Sequence, residues 1–182
     1  KFITMKKYFY TLLLLFPLSV LAQDTPTPKF SKKAIGDSGC SAYLPAEMPE
    51  FDVSFSDDEA EVYTAEVETG GHFFACIAVK FSEPFGDEIT DDDLQKMLMS
   101  YLDYLKTVFN VTSAAGYGMG HTLEGYPDAQ GILDYWEADD SMHYAVKGWV
   151  NKEKLGVLLI GKQGADPAVG LQNLYLNGWR FD

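Results

Sequence analysis

Arginine is almost missing from this chain: Arg180 is the only one in 182 residues. Lysine and arginine together number 14 against 27 acidic residues, a formal net charge of −13. Nucleic-acid binding requires clustered basic residues that displace condensed counterions. Their scarcity excludes that class and disfavours anionic lipids and anionic substrates. Cysteine is nearly absent too, with only Cys40 and Cys76, so a cysteine-dense disulfide scaffold is excluded. Only three histidines are present, His72, His121 and His143, and no two lie at His-x-x-x-His spacing. A catalytic zinc site needs three protein ligands, and nothing here supplies them, so no metal and no cofactor is expected. Gly-x-Ser-x-Gly is missing, which removes the nucleophile elbow of α/β-hydrolases.

What is present begins at the N-terminus. From Met5 the chain reads Met-Lys-Lys, then an apolar run from Tyr8 to Leu21, then Val20-Leu21-Ala22 before Gln23. A basic start, a short apolar middle and small residues before a cut make a secretory signal peptide. Residues 1–22 are therefore read as signal peptide with upstream residues, and the protein as periplasmic or secreted. The apolar run is shorter than the roughly 20 residues of a membrane span, so no stable span is expected after cleavage. Removing the signal leaves 11 basic and 27 acidic residues, a net charge near −16. In an oxidising compartment an even pair of cysteines predicts a disulfide between Cys40 and Cys76. Closing that loop would stabilise the fold by roughly 3–4 kcal/mol on the chain-entropy model.

Residues 23–38 are polar and carry Pro26 and Pro28, and they read as a flexible leader. Residues 39–182 then form one domain. Phe51–Phe55 alternates apolar and polar side chains, as a half-buried strand does. Val62–Val67 and His72–Phe81 are strands joined at Gly70-Gly71, a hairpin turn. Thr90 caps a helix that opens with Asp91, Asp92 and Asp93, at the positive end of its dipole. Leu94, Met97, Leu98, Tyr101, Leu102, Leu105, Val108 and Phe109 recur at three- and four-residue spacing and give it one apolar face. Asn110–Pro127 reads as a loop or irregular strand. Three strands follow in a meander, about Ala129–Ala138, His143–Val150 and Leu155–Gly161, then a short helix from Pro167 and a terminal strand at Trp179–Phe181.

Three local features carry a family likeness: Gly125-Tyr126-Pro127 leading into a strand, the hairpin of Tyr144, Val146, Trp149 and Val150 before Leu155–Ile160, and Trp179-Arg180-Phe181 after the last helix. Together they resemble the PsbP-like group, which includes extrinsic proteins of the oxygen-evolving complex and a nuclear Ran-binding relative. The resemblance implies an α+β fold, an antiparallel sheet of about six strands packed between helices as an α/β/α sandwich. It also implies binding of proteins or help with their assembly. The group shares no catalytic motif, so none is carried over.

The residues themselves leave a few candidates. Gly116-Tyr117-Gly118-Met119-Gly120-His121 lacks the Lys-Ser/Thr of a P-loop and is not a phosphate site. His121 in that loop is the histidine best placed to act as a base. The acidic runs at Asp57–Glu61 and Asp87–Asp93 lack EF-hand spacing and read as a solvated turn and a helix start. Residues 117–149 are rich in aromatics, some of which would be left exposed as partner anchors. The expected function is a non-catalytic domain that binds a protein or peptide through Tyr117, His121 and Tyr126. The alternative is an extracytoplasmic hydrolase using His121 with a nearby carboxylate.

Overall fold

The computed structural model describes residues 27–182, and the signal segment with the first residues of the leader lies outside them. Elements run in the order β1 (Phe30–Ala34), β2 (Cys40–Pro45), β3 (Asp52–Phe55), β4 (Glu61–Thr69), β5 (His72–Lys80), α1 (Asp91–Val108), β6 (Val111–Ala114) and β7 (Gly118–Leu123). Then come β8 (Tyr126–Ala138), β9 (Met142–Val150), β10 (Lys154–Gln163), α2 (Val169–Leu176) and β11 (Arg180–Phe181). An eight-stranded antiparallel sheet runs β3-β4-β5-β10-β9-β8-β6, with β7 also on β8. A second sheet has the order β1-β2-β11.

The central strands are apolar at nearly every position because both faces of the large sheet are covered. In β10, Val157 and Leu159 belong to the core under α1, whereas Leu158 and Ile160 belong to the core on the opposite face. In β5, Ala75, Ile77 and Val79 point to the first core, and Phe74, Cys76 and Ala78 to the second. The small sheet and α2 close that second core. Tyr175 of α2 donates its hydroxyl proton to the Ala75 carbonyl at 2.7 Å. Its ring meets Phe74 edge-on at 5.1 Å. Gly156 lets the fully buried Trp179 lie flat on β10, where a Cβ would stand 2.0 Å from the indole. The β4–β5 turn uses Gly70 and Gly71 at φ 59° and 69°, the paired positive values of a tight hairpin.

This architecture corrects the expected α+β sandwich of about six strands between helices. Strand occupies 49% of the described residues and helix 17%, so the protein is mostly β, still as one domain. Its second face is closed mainly by strands. The extra strands come from segments too short or too polar to show a period. β1 reads Phe-Ser-Lys-Lys-Ala inside the stretch taken for leader, yet it pairs along its length with β2. It is drawn in because Phe30 packs on Phe74 and Tyr175, and because the following Ile35 is fully buried. β6 and β7 lie in the stretch read as loop, held by backbone pairing with β8 and anchored by Val111 and the buried Leu123.

The expected disulfide is corrected as well. Cys40 and Cys76 are buried free thiols on different sheets, and no bond joins them. An even cysteine count in a secreted chain speaks of compartment, not of whether two Cβ atoms face each other at bonding distance. Burial pushes the Cys40 thiol up to about 11, and that of Cys76 well above its ordinary value. Both therefore stay protonated at neutral pH and pack as small apolar groups. Among the described residues no helix is long and apolar enough to cross a membrane.

Candidate functional site

The helix α1 decides where the molecule is open. Thr90 caps it, accepting from the Asp93 N–H at 3.2 Å, while the Asp93 carboxylate accepts from the Thr90 N–H at 3.1 Å. This reciprocal capping box fixes the start of the helix. Its buried residues are Leu94, Leu98, Leu102 and Leu105, one stripe at four-, four- and three-residue spacing. That stripe sits on β8 and β9, with the helix end near β6. The faces of β3 and β4 lie beside the helix, not under it.

A second apolar stripe, Met97, Tyr101, Tyr104 and Val108, runs along the flank of α1 toward those uncovered strands. Tyr104 is 61% and Val108 53% exposed. Between this flank and the sheet lies a groove of about 620 Å³, floored by Val62, Thr64 and Glu66 of β4 and Ala75 and Ile77 of β5. It continues toward the start of α1 as a space of about 420 Å³ bounded by Phe81, Phe85 and Met97, and the two share Val62, Tyr101 and Tyr104. The rings of Tyr101 and Tyr104 lie 6.1 Å apart at 45°. Burial pushes the Tyr101 phenol up to about 12, so it remains a neutral hydrogen-bond donor at any physiological pH. Glu50, Asp52 and Glu66 line the outer side. None of the three forms an ion pair among the described residues. No Lys, Arg or His lines either part of the groove.

The other side of α1 is closed by a buried carboxylate. Asp134 of β8 is fully buried. Its Oδ1 accepts from the Gly116 and Tyr135 N–H groups at 3.0 and 2.9 Å. Its Oδ2 accepts from Trp136 Nε1 at 2.8 Å and pairs with Lys106 of α1 at 3.0 Å. With both oxygens satisfied, this charge is structural and not free to do chemistry.

The three residues expected to form a binding surface do not converge. Tyr117 packs against the core beneath α1, donates to the Asp103 carboxylate and lies under the Lys106 ammonium, 4.1 Å from the ring centre. Tyr126 packs on the other core, edge-on to Phe181 at 5.7 Å. His121 sits opposite Gly131, with Lys147 as its charged neighbour. Burial first, then the Lys147 charge, holds the His121 imidazole below its usual range. Lys147 is only 8% exposed, donates to Asn177 Oδ1 at 2.8 Å and stands 4.6 Å over the Trp149 ring. Among the described residues His121 makes no hydrogen bond to a carboxylate.

The one histidine–carboxylate pair among the described residues is elsewhere: His143 Nδ1 meets Asp166 at 3.0 Å. It borders a shallow surface depression of about 240 Å³ that Ser113 also lines. Ser113 and His143 are separated across the sheet by Glu137, which pairs with both, and no hydrogen bond connects them. The acids at the start of α1 are engaged locally, Asp93 in the cap and Asp92 with Lys96 at 2.5 Å. Asp87 pairs with Lys152 at 3.1 Å.

Sequence reasoning missed the groove. Its signal was present: the apolar positions of α1 make a face wider than the buried leucine stripe, and its far edge at Tyr104 and Val108 stays exposed. Comparison with protein-family models gives no match to this chain, and comparison with curated proteins gives none either.

Proposed function

We propose that this is a non-catalytic, extracytoplasmic domain that binds a polypeptide partner in the groove between α1 and strands β3–β5. The observation that carries the reading is the groove itself, walled by the exposed Tyr104 and Val108 and the half-buried Met97 and Tyr101 of α1, beside the exposed faces of β3 and β4. Contiguous apolar surface of this kind, rimmed by polar groups, marks interaction sites in proteins. The binding surface thus moves away from residues 116–126, because Tyr117 and Tyr126 spend their rings on packing. The PsbP-like resemblance points to the same broad activity, since members of that group mostly bind proteins. Periplasmic or secreted location follows from the signal-like N-terminus.

The test is a photo-crosslinking amino acid placed at residue 104, with a control at residue 135, an exposed position on β8 that faces away from α1. Each protein is irradiated in an envelope extract of the cells that produce it. Adducts of discrete polypeptide mass at 104 and not at 135 support the reading. No adduct at 104, or the same adducts at both positions, overturns it.

A further inference from the structure

The shape and charge of the groove narrow the class of polypeptide it can hold, a step that rests on the polypeptide-binding reading. We propose that the occupant is a basic amphipathic α-helix of a partner protein, about three turns long, lying alongside α1 on the bare half of the sheet.

Four features define it. The groove-side stripe of α1, half-buried at Met97 and Tyr101 and exposed at Tyr104 and Val108, has spacings of four, three and four residues, the pattern that a neighbouring helix packs against. From Met97 to Val108 at about 1.5 Å per residue the stripe is about 17 Å long, or three turns. Ala75 and Ile77 of β5 are already buried at the back of the groove, so the exposed floor is β3 and β4, about 10 Å wide at about 4.8 Å per strand. A helix about 10–12 Å across fits that width, at the 8–10 Å interaxial distance usual for packed helices.

Charge fixes the rest. The inner floor is apolar at Val62, Ala75 and Ile77, and the outer floor is acidic at Glu50, Asp52 and Glu66, with no cation of the protein's own in the lining. Lys or Arg on one flank of the incoming helix can lay an apolar stem over Ser54 and Thr64 and place its charged head among these carboxylates. A second copy of this chain is the poorer occupant. Its net charge is −13, and its α1 carries Asp91, Asp92, Asp93 and Asp103 on exposed positions.

The probe is a fluorescent stapled helix of about 14 residues, with a leucine stripe and a lysine flank, titrated by anisotropy against the full chain. Saturable binding is expected. It should weaken about tenfold, equal to about 1.4 kcal/mol, in the paired variant Asp52→Lys, Glu66→Lys, whose fold is checked by circular dichroism. It should also weaken with rising salt. Equal binding of a helix carrying Glu in place of Lys overturns the charge assignment. Equal binding of a proline-interrupted analogue overturns the helical one. No binding of the lysine helix, or self-association of the chain that Tyr104→Gln abolishes, overturns the proposal. Polypeptide adducts at residue 104 without helix binding would leave the groove as a binding site and remove this occupant. Absence of adducts would remove the groove itself.

Discussion

The two halves of the large sheet meet the same helix on very different terms. Over β8 and β9, α1 is seated by Leu94, Leu98 and Leu102, tied by Gln95 to Gln130 at 2.9 Å, and pinned by Lys106 to the buried Asp134. Toward β3 and β4 its flank is half-buried at Met97 and Tyr101 and exposed at Tyr104 and Val108, and Glu50, Asp52 and Glu66 there have no cationic partner among the described residues. A helix that must cover a sheet evenly would lie near its centre. On the side where this one lies, β8 offers Lys106 a buried carboxylate and β9 offers Leu98 a glycine directly beneath it. Directional contacts and the buried leucine stripe thus coincide on one half of the sheet.

The largest way to break that contrast is Asp134→Ala. It leaves the Trp136 indole N–H and the Gly116 and Tyr135 amides without their acceptor, and the Lys106 ammonium with Asp103 alone. Removing one partner of a buried pair costs about 3–5 kcal/mol. The midpoint of urea unfolding should fall accordingly. A loss below about 1 kcal/mol would show that the network does not hold the helix in place.

A smaller break acts on shape. Gly148 of β9 lies under α1, where a Cβ would stand 2.7 Å from Leu98 Cδ1 and 3.4 Å from its Cγ. Leu98 is fully buried and cannot swing away freely. Gly148→Ala should cost about 1–3 kcal/mol, the range for overpacking a tight core. It should also shift the amide resonances of α1 residues more than those of β3. Equal shifts in both would mean that the helix and the open strands respond as one body.

What was visible in the sequence were the elements set by local pattern, in both halves of the sheet. The central strands, the Gly70-Gly71 turn, the Thr90 cap and the helix all announce themselves, because strong periodicity and capping chemistry act locally. Asp134 gave no such sign. In Leu-Asp-Tyr-Trp it alternates with apolar neighbours like any solvated strand residue, and its four donors come from residues as far away as Lys106 and Gly116. β1, β6 and β7 were equally silent, since their place depends on which partner strand is free to pair. The Cys40–Cys76 pairing was argued from compartment alone and fell to geometry. Most telling is the candidate site. Sequence reasoning looked for function in unusual residues, His121, Tyr117 and Tyr126, and the fold packs the two tyrosines against different cores. The groove is made of ordinary residues, and it exists because a neighbour is missing. Which half of a sheet a helix leaves bare is a property of tertiary placement that no window of sequence contains.

The gentlest test sharpens the comparison by acting where nothing is expected to happen. Tyr104→Gln with Val108→Gln replaces two exposed apolar side chains on the open flank, keeping good helix formers there. Surface changes away from caps, cores and networks usually stay within about 0.5 kcal/mol, and the double variant should unfold at nearly the wild-type urea concentration. Leu98→Ala, on the covered stripe and fully buried, should cost about 2–5 kcal/mol by contrast. If the open-flank variant lost as much as that, the second stripe would be part of this domain's own core, and its exposure could not be assigned to a partner. A near-zero change would mean that two of four apolar positions on one helix face contribute nothing to the stability of the isolated fold, which leaves binding as the property that their chemistry serves.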